Sequence, residues 1–412
     1  MALSILQIMN YAVPLVTVPY LTRVLGPERF GLLAFAQAII LYFDLITDYG
    51  FNLSATRKIA SIGGSRIELS RIFWSTIITK TLLMLLCAAV LNLFLEAVPV
   101  LRPYTLLCDA TFLTVVGSAL LPVWLFQGLE RMQFLTIAYS VARLLSIPAL
   151  LFLVQGSEDY IRAAAIQGSV PVAGALILGP VIWKKLDLPF YRPSASDILD
   201  SLREGWHLFV SNTAMVLFGS TSVVLLGLMA GNGQVGYYSA ADKLIKAGSS
   251  LMSPITQALY PHLNSLRASS EYSALRLIRK TLVLIGVLTF SASLATFALA
   301  GPIAHLLLGS RFGPSVTVLR FLAPVLFLTT VNNVLGTQTM MVFGLDALVS
   351  RITLRSAVAN AVLALLLAGR WGAVGAAAAT ATSGVLMMLQ MMTALRRAKL
   401  PVWQAETTVC AS

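Results

Sequence analysis

Apolar runs about as long as a lipid bilayer is thick follow one another along the whole chain. About 20 apolar residues of helix cross a bilayer core of about 30 Å, and windows of that length find twelve such runs in the 412 residues. Composition supports this interpretation, because 58% of the residues are hydrophobic and 11% are charged, against about 25% charged in soluble domains. The chain is therefore predicted to cross a membrane many times.

The runs predict helices rather than the strands of a barrel. A backbone in lipid must satisfy its own hydrogen bonds, and these runs are about twice as long as a tilted barrel strand. We therefore expect an all-α integral membrane protein with twelve transmembrane helices. The runs cover residues 3–22, 31–52, 73–95, 105–126, 134–154, 161–183, 206–229, 236–259, 281–300, 317–341, 352–369 and 373–394.

Basic residues are unevenly distributed over the connections between the runs. Eighteen Lys and Arg residues lie in alternate connections, beginning with the one after the second run, and seven lie in the others. The positive-inside rule assigns the richer set to the cytoplasm, so both termini are expected there. The net charge of +12 thus indicates membrane orientation and no nucleic-acid partner, since the charges form no basic surface interleaved with aromatic residues.

The two halves of the sequence resemble each other. LGPERFGLLAFA from Leu25 and AGNGQVGYYSAA from Ala230 share the spacing G-x4-G-x4-A at an offset of 205 residues. Such repeats predict two pseudo-symmetric six-helix lobes around a central cavity, related by an axis along the membrane normal. We expect the lobes at residues 1–183 and 206–394, a cytoplasmic linker at 184–205 and a cytoplasmic tail at 395–412.

Acidic residues inside the predicted spans indicate function, because an ionisable group at the bilayer centre costs about 3 kcal/mol. Gln37, Asp44 and Asp48 share one face of the second predicted helix. Asp242 occupies the position in the eighth run that corresponds to Gln37 in the repeat. The three aspartates are candidates for ion coupling or for pairing with buried cations.

Four basic residues also fall inside the predicted spans: Lys80, Arg143, Lys243 and Lys246. The first three are candidates to face a water-filled cavity, but structural pairing between helices and extension to a membrane interface remain open. Lys246 follows Asp242 by four residues, so the two could pair within one helix. Asn10, Asn212, Asn332 and Gln338 either line the cavity or bond across helices.

Signatures of catalysis and of bound cofactors are missing from the sequence. The three cysteines lack the paired spacing of a zinc site, and the three histidines share no helix. There is no G-x4-G-K-[ST] loop, so no ATP hydrolysis is expected on this chain. We therefore expect no catalytic residues, no metal, no cofactor and no enzymatic activity.

Three segments carry a resemblance to a known family. YLTRVLGPERFGLLAFAQAIILYFDLITDYGFNLSATRKIA from Tyr20, VWLFQGLERM from Val123 and GYYSAADKLIKA from Gly236 resemble the O-antigen and polysaccharide repeat-unit flippases. These belong to the multidrug/oligosaccharidyl-lipid/polysaccharide exporter superfamily. The resemblance implies two six-helix lobes in a V around a cationic cavity, and it makes Arg143, Lys243 and Lys246 candidate cations of that cavity.

The same resemblance implies a function. It is the movement of polyprenyl-diphosphate-linked oligosaccharide from the cytoplasmic to the periplasmic leaflet of a bacterial inner membrane, by alternating access and with H⁺ or Na⁺ as a candidate coupling ion. Membrane lipid, a polysaccharide polymerase and a chain-length regulator are the partners it suggests.

Other classes of membrane protein remain open at this point. A cation-coupled multidrug extruder of the same superfamily should have an acidic or aromatic cavity. An integral-membrane polysaccharide polymerase should have a long periplasmic loop, whereas the longest predicted periplasmic connection has about 17 residues. A scaffold that recruits cytoplasmic glycosyltransferases is a further role left open.

Overall fold

Helices account for the regular structure of the part of the chain described here. The computed structural model describes residues 2–62, 65–97, 102–186, 188–398 and 400, without side chains at 2–12, 185, 211, 214, 253, 254, 257 and 258. The helices are α1 Ala2–Asp48, α2 Phe51–Ser61, α3 Arg66–Ala97, α4 Thr105–Leu120, α5 Val123–Gly128, α6 Met132–Leu153, α7 Tyr160–Val181, α8 Ala195–Ala230, α9 Asn232–Ser250, α10 Ser253–Ser269, α11 Glu271–Ala298, α12 Ala300–Leu307, α13 Ser315–Asn333 and α14 Asp346–Arg397. Single π-helical segments, Ile182–Leu186 and Val334–Met341, follow α7 and α13.

The two longest helices are each broken at a glycine. In α1 the break is Gly26, with φ 70° and ψ 174°, directly before Pro27. In α14 it is Gly372, with φ 55° and ψ −132°. A residue with a Cβ rarely adopts these backbone angles, so glycine is what allows each helix to change direction there.

The apolar helices are consistent with the twelve predicted crossings. Eight segments of the described ranges are long and apolar enough to span a membrane, or nine if the bent pair Ala195–Val210 and Met215–Ala230 forms one span. Val13–Ser61 and Asp346–Arg397 contain the glycine breaks and have 49 and 52 residues, which suffices for two crossings each at about 20 residues per crossing. The remaining predicted crossing corresponds to α9, which is more polar.

The chain divides into two compact units, residues 1–216 and 217–412. This division lies inside α8, beyond the predicted linker at 184–205, because the first part of α8 packs onto the first unit. A Cβ on Gly205 would lie 2.7 Å from the carbonyl oxygen of Tyr49, and the rings of Tyr49 and Phe209 stack at 4.7 Å. The predicted lobe boundaries stay a prediction, and most of the predicted tail lies outside the described residues.

In the first unit, α4 and α7 approach each other closely at two glycines. A Cβ on Gly117 of α4 would lie 2.4 Å from the backbone nitrogen of Val172. A Cβ on Gly168 of α7 would lie 2.8 Å from the carbonyl oxygen of Ala110. Small residues allow this backbone contact, which is the usual way in which membrane helices pack.

Replacing Gly117 with valine should therefore destabilise the first unit. The added methyl groups would meet backbone atoms of α7, and overpacking of this kind costs about 1–3 kcal/mol or more. We expect less protein in the membrane fraction and a lower unfolding midpoint in detergent. Gly286→Val, in the interior of α11, is the control, since a Cβ there would meet no described atom within 4 Å beyond the backbone of its own helix. Equal behaviour of the two variants would show that the α4–α7 contact is not tight.

In the second unit, α13 is the central helix. It packs against α9, α11 and α14, and short polar side chains bond across these contacts. The Ser293 hydroxyl donates to the Ala323 carbonyl at 2.8 Å, and the Ser315 hydroxyl donates to the Tyr237 carbonyl at 3.0 Å. Such bonds hold apolar helices in register where lipid supplies no hydrophobic driving force.

Candidate functional site

A polar cavity lies within the first unit, between apolar helices. It encloses about 270 Å³, and α1, α4, α6 and α7 form its walls. Gln37 and Asp44 of α1 line it together, because seven residues make nearly two full turns of helix. Arg143 of α6 and Gln167 of α7 line it from the other helices. The structure thus brings three of the predicted site residues, Gln37, Asp44 and Arg143, to one place.

Arg143 supplies the positive charge of this cavity. Its guanidinium lies 5.2 Å from the centroid of the Tyr139 ring, one helical turn earlier on α6. The arginine is half-buried, and Tyr139 also lines the cavity. A cation held over an aromatic face is attracted by the ring, which restricts its movement.

The carboxyl group of Asp44 is incompletely satisfied by hydrogen bonds. Its Oδ1 atom is buried and has no hydrogen-bond partner among the described residues. A buried carboxylate oxygen without a donor is costly, so this position favours a proton, a cation or a ligand hydroxyl. Asp44 and Arg143 line the same cavity, which therefore offers both an acceptor and a donor.

An amide–amide hydrogen bond connects two walls of the cavity. Gln37 Nε2 donates to Gln167 Oε1 at 2.8 Å and joins α1 to α7. Sequence reasoning did not single out Gln167 or Tyr139. The signals that could have found them were an amide inside an apolar run and an aromatic residue four positions before Arg143.

Lys80 and Asp48 form an ion pair between helices. Lys80 Nζ donates to Asp48 Oδ1 at 3.1 Å and to the Ser118 carbonyl at 3.1 Å. The lysine side chain is 1% exposed, and Asn52 Nδ2 also donates to Asp48 Oδ1, at 2.7 Å. Neither charge lines the cavity described above. These contacts favour structural pairing, so the substrate-binding role of Lys80 and the ion-coupling role of Asp48 stay predictions.

The charges of α9 in the second unit are arranged as an intrahelical pair with a neighbouring lysine. Lys246 Nζ lies 2.7 Å from Asp242 Oδ2 and donates to the Gly219 carbonyl at 3.3 Å. Asp242 is buried, Lys246 is exposed and Lys243 is half-buried. The pairing of Asp242 with Lys246, which the sequence left open, is therefore present, and the Lys246 side chain stays exposed.

A buried hydroxyl and amide cluster lies beside these charges. The hydroxyl groups of Tyr238 and Thr380 are 3.0 Å apart, and Asn360 Nδ2 donates to Ser222 Oγ at 3.1 Å. Ser383 Oγ donates to Asn360 Oδ1 at 3.2 Å. These contacts tie α8, α9 and both parts of α14 together. Sequence reasoning missed Asn360, although an asparagine in an apolar run was again the available signal.

The remaining predicted polar residues are distributed over other helices. Asn332 Nδ2 donates to the Gly384 carbonyl at 3.1 Å, and Gln338 Nε2 donates to the Thr256 carbonyl at 2.8 Å. Both side chains are buried and bond across helices. Asn212 is half-buried on α8, and the side chain of Asn10 lies outside the described residues.

Comparison with known proteins identifies relatives along nearly the whole chain. The model of the family described as "Polysaccharide biosynthesis protein" matches residues 1–267. A "Putative O-antigen transporter" of Escherichia coli (strain K12) is 31% identical over 400 residues, covering 97% of this chain and 96% of the relative. A protein of the same name from Shigella dysenteriae is 30% identical over 393 residues, covering 94% and 96%.

Solved structures confirm the fold class. The lipid II flippase MurJ in an inward closed conformation matches with a TM-score of 0.70 and 14% identity, covering 95% of this chain and 87% of that one. An inward-facing multidrug resistance MATE family transporter matches with a TM-score of 0.71 and 14% identity, covering 97% and 98%. At this identity the likeness shows the fold alone, which is that of a multi-pass, all-α membrane protein. The resemblance inferred from the sequence is confirmed, and the chain belongs to the polysaccharide biosynthesis protein family.

Proposed function

We propose that this protein moves polyprenyl-diphosphate-linked oligosaccharide repeat units across a bacterial inner membrane, from the cytoplasmic to the periplasmic leaflet. The observation that carries the proposal is a polar cavity with a half-buried arginine, in a chain whose full-length relatives are named as O-antigen transporters. A polar cavity among apolar helices is what a hydrophilic head group needs to pass while its lipid tail stays outside.

The energetic need for such a protein follows from the substrate. A repeat unit with about ten hydroxyl groups would lose about 2 kcal/mol of hydration for each one in hydrocarbon. The resulting barrier of about 20 kcal/mol corresponds to roughly one crossing a minute, before the diphosphate is counted. A path lined by amide, hydroxyl and charged side chains replaces the lost water and lowers that barrier.

Basic side chains are proposed to attract the negatively charged diphosphate. One close charge pair at an effective dielectric constant near 20 contributes about 4 kcal/mol. Arg143, which lines the polar cavity of the first unit, is the proposed partner of this anion, and Lys243 and Lys246 of the second unit are further candidate cations. They act in an alternating-access cycle, in which the head group must be released as well as bound.

Asp44 is the proposed coupling residue. Its buried and unpartnered oxygen suits the binding of H⁺ or Na⁺ during the return step, when the anionic head has left Arg143. Both termini are proposed to be cytoplasmic, on the basis of the eighteen-to-seven distribution of basic residues. A polymerase and a chain-length regulator would then receive the product on the periplasmic side.

Accessibility of the lipid-linked oligosaccharide tests the proposal. In spheroplasts of a strain that lacks the gene, the oligosaccharide should accumulate and be protected from periodate, an oxidant that does not cross the membrane. Expression of the protein should expose it. Unchanged periodate accessibility, together with hypersensitivity of the deletion strain to cationic dyes, would instead identify a multidrug extruder.

A further inference from the structure

A second cavity lies at the end of the first unit that the basic residues assign to the cytoplasm. It encloses about 300 Å³ between α2, the beginning of α3 and the beginning of α8. This size is at the lower limit of ordinary small-molecule sites, which span about 300–1,000 Å³. The cavity has room for a small group such as a sugar ring.

Ion pairs fix the walls of this cavity. Arg71 donates to Asp197 Oδ1 through Nη2 at 2.5 Å and through Nε at 3.0 Å, which joins α3 to α8. Lys58 Nζ lies 2.7 Å from Glu204 Oε2 and joins α2 to α8. These pairs connect the three helices that surround the cavity.

The far side of Asp197 is held by the segment before α8. Its Oδ2 accepts hydrogen bonds from the Ser194 backbone N–H at 2.9 Å and from the Tyr191 hydroxyl at 2.9 Å. The bond to the carboxylate raises the pKa of the Tyr191 phenol above its usual value. Both carboxylate oxygens of Asp197 therefore accept hydrogen bonds within the protein. Asp197 stabilises the wall of the cavity and is not assigned to a ligand.

Ser75 is a buried polar residue in the wall of this cavity, and its hydroxyl is unsatisfied. It lines the space and is 5% exposed, and its Oγ atom has no hydrogen-bond partner among the described residues. A buried hydroxyl without a partner costs about 1–3 kcal/mol, which a bound donor or acceptor would recover. Several other hydroxyl and carboxylate side chains face the same space: Ser54, Thr76, Ser201, Glu68 and Asp200.

The charge balance of the lining selects against an anion. Four carboxylates, Glu68, Asp197, Asp200 and Glu204, stand against two cations, Lys58 and Arg71. A diphosphate would be repelled by this excess of negative charge. A neutral polyol is matched instead, because its hydroxyl groups can donate to carboxylates and accept from serine and threonine hydroxyls.

We propose that this second cavity binds one neutral sugar ring of the oligosaccharide at the cytoplasmic entrance, while the diphosphate stays outside it. The proposal rests on the proposed function, and it specifies that the second cavity recognises the sugar part of the substrate. Two separate sites then recognise the two parts of the substrate: the second cavity binds the sugar ring beside Ser75, and Arg143 in the polar cavity between α1, α4, α6 and α7 binds the diphosphate.

Protection of a cysteine from a thiol reagent tests this site in the purified full-length protein. Ser54→Cys places the reporter in the cavity, in a Cys410→Ser background where Cys87 and Cys108 are buried. The probe is the free oligosaccharide, released by mild acid from the lipid carrier that accumulates in the deletion strain. At about four times its dissociation constant it should slow labelling about fivefold. Ser269→Cys, on the exposed end of α10, should be labelled at an unchanged rate.

A second variant tests the same site by filling the cavity with a larger side chain. Ser75→Leu, introduced beside Ser54→Cys, should abolish protection by the oligosaccharide. Protection that persists in Ser75→Leu, protection by tetraphenylphosphonium in place of the sugar, or no protection at all would each overturn the inference. Periodate accessibility in spheroplasts is a separate readout: if the oligosaccharide still reaches the periplasm without protection of Ser54→Cys, the transport function stands and the sugar site falls.

Discussion

Lys80→Ala should leave little folded protein in the membrane. The lysine is 1% exposed and donates to Asp48 and to the Ser118 carbonyl, so its removal takes the cation away from the Asp48 carboxylate, which keeps the hydrogen bond from Asn52. Breaking a buried ion pair on one side costs about 3–5 kcal/mol, out of a total stability of about 5–15 kcal/mol. Immunoblots of the membrane fraction and thermal unfolding in detergent measure this loss.

A double replacement separates a structural pair from a transport residue. Lys80→Met combined with Asp48→Asn removes both charges and should recover much of the abundance lost in Lys80→Ala, because a neutral pair leaves no buried charge unmatched. Lys184→Met, at an exposed position, is the control with no expected effect. Normal abundance of Lys80→Ala together with loss of surface polysaccharide would show that Lys80 acts in transport. This is the alternative from the sequence in which Lys80 faces a water-filled cavity.

Arg143→Ala should abolish surface polysaccharide while the amount of protein stays normal. The arginine lines the polar cavity of the first unit together with Asp44 and Gln167. Its contribution to binding the anionic diphosphate head group is about 4 kcal/mol. A loss of that size corresponds to roughly a thousandfold lower transport rate. Surface polymer on gels and the periodate accessibility of the lipid-linked oligosaccharide measure it.

Two further variants make the Arg143 result specific. Arg143→Lys keeps the charge and should retain part of the activity. Arg162→Ala removes an exposed arginine of the same unit, which pairs with Asp159 at 2.7 Å, and such exposed pairs contribute about 0.2–1 kcal/mol. Wild-type polymer in Arg143→Ala, or an equal fall in abundance and polymer, would remove Arg143 from the proposed site.

The sequence could predict what depends on local periodicity. The common face of Gln37 and Asp44 follows from helical spacing, and both residues line one cavity. The pairing of Asp242 with Lys246 follows from a separation of four residues. The break in α1 has a visible signal in Gly26 followed by Pro27, since this dipeptide favours a change of direction.

What the sequence could not predict depends on contacts between distant segments. Lys80 and Asp48 lie 32 residues apart in the chain and pair only because α1 and α3 pack together. The cavity beside Ser75 needs α8 to return to α2 and α3, and its linking pairs, such as Arg71 with Asp197, span 126 residues. No periodicity within one helix carries that information, because it is set by tertiary packing.

The polarity of α9 has a consequence for biogenesis. On insertion scales each Asp or Lys near the centre of a helix costs about 2.5–3.5 kcal/mol, and α9 carries Asp242, Lys243 and Lys246. A newly made α9 is therefore not expected to leave the translocon for lipid by itself. Its packing partners α13 and α14 are synthesised later. Most of the second unit must therefore be translated before α9 can be stably inserted in the bilayer.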